Sequence, residues 1–229
     1  MKQFVEFLVK VALLVFIWFI WWLALYTPLS NVMNLSIIVG SVLLVFPFVL
    51  LGRMILDRRQ TTSRAVWVTT FVHYAVGGLF GVGIIRAVTT HQDWSGWVLP
   101  IPTSIGLFLV IVTGLAGLLV VANLAVKGLG APFAIALSKK LAMDWFYAWT
   151  RNPMVFAALA LLLSLGIWFQ SVLFVLWSLI VFAPALLFFV RVYEERELEI
   201  RFGTSYLEYK ARTPMLFPRK PRKNLKDNT

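Results

Sequence analysis

The sequence has no cysteine and only two histidines, His73 and His91, among its 229 residues. The absence of cysteine excludes disulfides, thiolate metal ligands and a cysteine nucleophile. Because the two histidines are far apart in the sequence, a histidine-based metal cage or catalytic triad is not expected, and no metal site is predicted. Acidic residues are also few, with 10 Asp and Glu against 21 Lys and Arg, so the formal net charge is +11.

Hydrophobic residues make up 60% of the chain, and the mean hydropathy is +0.85. Soluble domains are usually about 45–50% apolar. Long runs without charge therefore predict an integral membrane protein. The excess of basic residues lies in a few loops and the tail. In a membrane protein this distribution indicates topology and contact with anionic lipid, and it gives no reason to expect nucleic acid as a partner.

The apolar runs predict an all-α, polytopic membrane bundle of about six transmembrane helices. The predicted spans are 4–26, 31–55, 65–88, 104–126, 154–170 and 172–192, the last two forming a hairpin. The first span is too long to be a removed signal peptide. Lys and Arg in the loops predict that both termini are cytoplasmic, and the small size suits a bacterial inner membrane. Two portions are predicted, 1–126 with the N-terminal helices and 127–229 with the functional residues.

Glycines in the third predicted helix suggest close packing. Gly77 and Gly81 form a small-xxx-small pair that predicts the close approach of another helix. The sequence does not indicate whether this face packs within one chain or between two, so the oligomeric state stays open. His73 lies in the same helix, where a hydrogen-bonded packing histidine is favoured over a substrate contact.

Two polar stretches stand out, and both are predicted on the cytoplasmic side. The segment 127–152 is too polar to span a membrane and is predicted to lie along its surface. The stretch 191–212 continues the last helix out of the membrane. Gly203 is predicted to cap that helix, and Ser205 with Glu208 reads as a capping box that opens a second short helix. One helical face is predicted to carry Glu195, Glu199, Phe202, Tyr206 and Tyr209.

Taken singly, the polar residues also have structural interpretations. Glu194 and Glu195 fit a solvated helix end that is balanced by nearby arginines. Arg151 fits a positive-inside anchor, Asn152 an N-cap and Pro153 the first turn of a helix.

Taken together, the two stretches resemble the isoprenylcysteine carboxyl methyltransferase family and its relatives, the phospholipid N-methyltransferases. The first motif is Y-A-W-T-R-N-P, from Tyr147 to Pro153, before the helical hairpin. After the hairpin come the paired glutamates and Leu198, then F-G-x-x-Y-x-x-Y from Phe202 to Tyr209 and a basic residue before Pro214. The segment 128–130, Gly-Leu-Gly, is similar to the glycine motif of the same families.

The resemblance implies a membrane-embedded methyltransferase that binds S-adenosylmethionine at the cytosolic face and acts on a lipid-type substrate from the bilayer. A carboxylate of isoprenylcysteine type is the favoured acceptor, with Arg151 and Arg191 as the residues that orient it. Cofactor contacts are implied at the following positions: Leu129, Gly130, Tyr147, Asn152, Pro153, Glu194, Glu195 and Tyr206. Val155 and Ala157 depart from the family pattern, which leaves the shape of the pocket and the acceptor open.

Three alternatives remain. A phospholipid amine is a second acceptor, and an amine must lose a proton before it attacks. An NADPH-dependent reductase of sterol-like lipids is a second enzyme class, because the segment 209–218 is somewhat similar to the tails of such enzymes. A non-enzymatic protein or transporter is disfavoured, since no intramembrane charge pairs or broken helices mark a path through the bilayer.

Overall fold

A computed structural model of the chain describes residues 2–94, 96–128 and 140–220. The described residues form eleven α-helices and no strand. The helices are α1 (Lys2–Tyr26), α2 (Asn31–Leu43), α3 (Val45–Arg58), α4 (Thr62–Thr90), α5 (Thr103–Asn123), α6 (Phe146–Trp149), α7 (Pro153–Trp168), α8 (Val172–Trp177), α9 (Ala183–Phe189), α10 (Glu195–Phe202) and α11 (Thr204–Arg212).

Five helical segments are long and apolar enough to cross a membrane. They are Phe4–Tyr26, Asn31–Arg58, Thr62–Asp93, Thr103–Lys127 and Val172–Phe202. Helix α7 is a sixth apolar helix, but it is shorter than the others. The prediction of an all-α polytopic membrane bundle is therefore confirmed.

The sequence predicts one unbroken helix for the second span, but the structure divides it in two. Leu44 separates α2 from α3. The reason lies in Pro47, which has no N–H to donate to the carbonyl of residue 43 and so weakens the helix at this point. The two pieces nevertheless continue each other as one apolar span.

Close packing depends on glycines, as expected in a membrane bundle. A Cβ atom on Gly106 would lie 2.4 Å from the Cα atom of Trp168, so α5 and α7 touch backbone to backbone. At the predicted pair of Gly77 and Gly81, Trp21 of α1 packs closely against Gly81, and Gly77 lines a cavity.

The last span changes its winding before it leaves the apolar region. Two π-helical turns, Ser178–Phe182 and Val190–Glu194, interrupt the α-helical pattern, and each adds one residue to a turn. Tyr193 in the second turn is fully buried. Its ring packs against Gly52 of α3, and its hydroxyl lies 3.0 Å from Oγ1 of Thr69 in α4. These contacts fix the point at which α10 begins.

Candidate functional site

A cavity of about 300 Å³ lies between α4, α7, α9, α10 and α11. This volume is at the lower end of the range of small-molecule sites. One part of its wall is apolar and is formed inside the bundle by Val76, Phe80, Leu186, Phe189 and Val190. Its other end is polar and is lined by His73, Lys140, Tyr147, Arg151, Asn152, Glu194, Glu197, Arg201, Tyr206 and Tyr209. The cavity thus joins an apolar wall to a charged end.

The two polar stretches singled out in the sequence meet at this end. Nη2 of Arg151 donates to Oε1 of Glu195 at 2.6 Å. The backbone between residues 149 and 152 also bonds to the segment after α11, since Arg151 N–H donates to the carbonyl of Pro214 at 2.9 Å and Arg219 N–H donates to that of Trp149 at 3.0 Å. The segment that follows α11 therefore holds the Arg-Asn-Pro motif in place.

Glu195 lies behind the cavity wall. Its side chain is 6% exposed, and both carboxylate oxygens are engaged, Oε1 by Arg151 and Oε2 by Lys210 at 2.7 Å. Lys210 also contacts Glu199 at 3.0 Å. A carboxylate with both oxygens in ion pairs has little capacity left for a ligand. Glu195 acts as the link between α10, α11 and the Arg-Asn-Pro motif.

Arg151 lines the cavity, but its guanidinium is largely occupied by the protein. Besides Glu195, it donates through Nη1 to the carbonyls of Lys210 and Thr213. Nε is buried and has no hydrogen-bond partner among the described residues. A bidentate grip on a substrate carboxylate needs two free N–H groups side by side. Three hydrogen bonds within the protein and the burial of Nε leave the guanidinium of Arg151 poorly placed for such a grip.

Asn152 and Pro153 begin α7. The predicted role is found for Pro153 but not for Asn152. Pro153 is buried in the first turn, as predicted. Asn152 occupies the N-cap position without capping through its side chain. Its side-chain amide N–H donates to the carbonyl of Met215 at 3.0 Å, in the segment after α11.

Glu194 and Glu197 are the carboxylates that line the cavity. Neighbouring residues of a helix point about 100° apart, whereas residues three apart share a face. Glu194 therefore faces the cavity with Glu197, and Glu195 faces away. Oε1 of Glu194 lies 3.0 Å from Nε2 of His73 in α4. Glu197 is buried and pairs with Arg201 at 2.7 Å.

His73, Glu197 and Arg201 were not predicted as site residues. The spacing of Glu194 and Glu197 was a usable signal, because it places two carboxylates on one helical face. The sequence carried no comparable signal for His73, whose partner lies 121 residues away.

Three buried tyrosines close the polar end. Burial raises the pKa of Tyr147, Tyr206 and Tyr209, so all three are neutral at physiological pH. Burial lowers the pKa of Lys210, but hydrogen bonds to Glu195 and Glu199 outweigh this, and the net shift is upward. Lys210 is therefore a charged member of the ion-pair network.

The turn between α10 and α11 differs from the predicted capping box. Gly203 has a φ of +55° and serves at once as the C-cap of α10 and the N-cap of α11. Helix α11 therefore begins at Thr204, and Ser205 is already inside it. Because a single glycine turns the chain, no side-chain cap is needed here.

The remaining predicted site residues are Arg191, Leu129 and Gly130. Arg191 is exposed and does not line the cavity. Leu129 and Gly130 lie outside the described residues, so their predicted cofactor contact stays a prediction.

A helical membrane bundle with a half-apolar, half-charged cavity is an arrangement suited to an enzyme that works on lipids. Residues 102–205 match the family model described as phospholipid methyltransferase. The chain is accordingly an S-adenosylmethionine-dependent methyltransferase and an integral membrane protein. The match supports the broader methyltransferase resemblance rather than the isoprenylcysteine carboxyl branch in particular. No curated protein and no solved structure matches the chain.

Proposed function

We propose that the cavity binds S-adenosylmethionine and that the enzyme methylates the amine headgroup of a membrane lipid. The observation that carries the proposal is the make-up of the cavity wall, which joins the carboxylates of Glu194 and Glu197 to apolar side chains inside the bundle. A polar, positively charged methyl donor suits the first part, and the acyl region of a lipid suits the second.

The donor chemistry fits the residues that are present. Carboxylates accept hydrogen bonds from ribose hydroxyls and ammonium groups, and Glu194 and Glu197 offer such oxygens. Aromatic rings suit a flat base, and Tyr147, Tyr206 and Phe202 line the same cavity. When bound, the cofactor supplies an electrophilic methyl group on a sulfonium. The protein aligns the acceptor with that methyl group, which is the main demand of an in-line displacement.

An amine acceptor fits this cavity better than a carboxylate. The carboxylate hypothesis assigned the orienting role to Arg151 and Arg191. Arg151 is held by Glu195 and two carbonyls, and Arg191 is exposed outside the cavity. An ammonium group, in contrast, has possible partners in the carboxylates of Glu194 and Glu197, which line the cavity beside Lys140, Arg151 and Arg201. Carboxylate O-methylation remains the alternative outcome of the test.

Calorimetric titration with S-adenosylmethionine, S-adenosylhomocysteine and NADPH tests cofactor choice on the detergent-purified protein. We expect both sulfur ligands to bind and NADPH not to bind. Ala158→Trp places an indole in the cavity wall and is expected to weaken binding at least tenfold, whereas Ala12→Trp, on the exposed face of α1, is the matched control. Binding of NADPH alone would favour the reductase.

Methyl transfer from labelled S-adenosylmethionine then tests the acceptor. Vesicles that contain phosphatidylethanolamine are compared with an S-prenylated N-acetylcysteine in the same vesicles. Label in the amine lipid supports the proposal. Label in the prenylcysteine alone would return the acceptor to the carboxylate class.

A further inference from the structure

A hydrogen-bonded pair with one member outside the matched family segment lies at the polar end of the cavity. It joins His73, on α4, to Glu194, on the last span. The side chains are 13% and 28% exposed, so they are shielded but still reach the cavity. We infer that His73 and Glu194 form a proton-sharing couple that takes the proton released by the amine acceptor. This inference rests on the proposed function.

The geometry of the His73 ring carries the argument. Nδ1 lies 3.0 Å from the carbonyl oxygen of Thr69, and Nε2 lies 3.0 Å from Oε1 of Glu194. A carbonyl oxygen only accepts, so Nδ1 carries a hydrogen. A second hydrogen is then needed between Nε2 and Oε1 of Glu194, because without it the lone pair of Nε2 would face a carboxylate oxygen. These distances therefore favour a couple that holds one proton between the two side chains.

Loss of that proton leaves a strong base. Without the proton, Nε2 of the neutral imidazole and the carboxylate of Glu194 face each other at 3.0 Å with no hydrogen between them, and they repel each other. Uptake of a proton removes this repulsion. The edges of the Phe189 and Tyr193 rings pack at 5.1 and 6.1 Å between ring centres and hold the imidazole in place. The ring thus has little freedom to turn away from Glu194.

The charged and titratable groups around the couple come from several elements, and Lys140, Arg151, Arg201, Tyr206 and Tyr209 line the same end of the cavity. Glu197, from α10, adds negative charge near His73 but is itself paired with Arg201. Tyr193 contributes a hydroxyl that bonds to Thr69. From α6, Tyr147 lies within the electrostatic influence of Glu194 and is neutral. Within the described ranges, the ion pair of Glu194 is the one it forms with His73.

The step balances as follows. A lipid ammonium gives one N–H proton to the emptied couple, and the nitrogen keeps the electron pair. That pair forms the N–C bond as the S–C bond of the sulfonium donor breaks and sulfur keeps its electrons. The couple, now protonated, returns the proton to water along the exposed edge of Glu194. General base catalysis of this kind typically contributes 10²–10⁴-fold.

Two variants separate proton transfer from mere positioning. Glu194→Gln keeps the shape and lets an amide N–H donate to neutral Nε2, but the pair no longer stores a proton. His73→Gln keeps a donor towards Glu194 without a titrating ring. For both, we expect kcat to fall by at least tenfold and the acid limb of the kcat–pH profile to be lost. Cofactor affinity should stay within about threefold for His73→Gln. A purely positioning role would instead raise KM for the cofactor and leave the pH profile parallel to wild type, which would overturn the inference.

A second measurement does not depend on the acceptor. The chain has only two histidines, so ¹⁵N-histidine NMR of His91→Gln reports His73 alone. We expect a doubly protonated ring at low pH that becomes the neutral Nδ1–H form as pH rises, and the neutral form throughout once Glu194→Gln is added. An Nε2–H ring at all pH values, or the same titration with and without Glu194, would overturn the inference. If wild type binds the cofactor but methylates no amine, the proposed function fails, whereas the NMR result still decides whether the couple exists.

Discussion

The network around Glu195 predicts a large loss of stability from a small chemical change. Arg151 and Glu195 are 9% and 6% exposed, and Lys210 contacts the second carboxylate oxygen. Glu195→Gln keeps the size of the side chain but removes the negative charge that two cations share. Removal of one partner of a buried ion pair typically costs about 3–5 kcal/mol. We expect a loss of this size in the free energy of unfolding.

Reversible unfolding in mixed detergent micelles measures this loss. Asp57→Asn is the control, because Asp57 pairs with Arg53 and Arg196 at the surface and is 39% exposed. Surface pairs contribute about 0.2–1 kcal/mol. A double variant with Arg151→Met should cost less than the sum of the single changes, since the buried cation is then gone. Equal costs for Glu195→Gln and Asp57→Asn would refute the view that this network holds the polar stretches together.

Three further predictions concern the same region and the bundle. Gly203→Ala should cost about 1–3 kcal/mol, measured by the same unfolding assay, because φ is +55° and no neighbouring atom compensates or clashes. The free energy of unfolding should fall above about pH 10, because the pKa of Lys210 is higher in the folded protein than in the unfolded chain. The stabilisation by charged Lys210 is complete below the unfolded pKa and is lost as pH rises through the folded pKa. Lys210→Met should flatten this fall. Gly106→Ala should cost about 1–3 kcal/mol by forcing α5 from α7, whereas Gly114→Ala, which meets open space, should not.

Much of the fold could be predicted because membrane helices are marked by long apolar runs. The spans differ from the predicted ranges mainly at their ends and at Leu44, where Pro47 interrupts the helix. The contact between Arg151 and Glu195 was also within reach, since both stretches were predicted on one side of the membrane.

The site itself could be predicted only in part. The resemblance implies both adjacent glutamates as cofactor contacts, but their side chains point in different directions, and of the two it is Glu194 that lines the cavity. His73 was assigned to packing because its partner becomes visible only when α4 lies against the last span. Capping residues were misassigned at Asn152 and Ser205 because tertiary contacts and a glycine turn replaced the local hydrogen bonds.

The π-helical turn Val190–Glu194 makes the chain one residue longer than an α-helix would need between Phe189 and Glu195. Each residue of an α-helix turns the chain by about 100°. Deletion of Val192 would return this turn to regular α-helical winding. It would alter the local positions of Tyr193 and Glu194, which carry the contacts to Thr69 and His73, although neither residue had been replaced. The contact between Glu194 and His73 is thus tied to the length of this turn as well as to the two side chains.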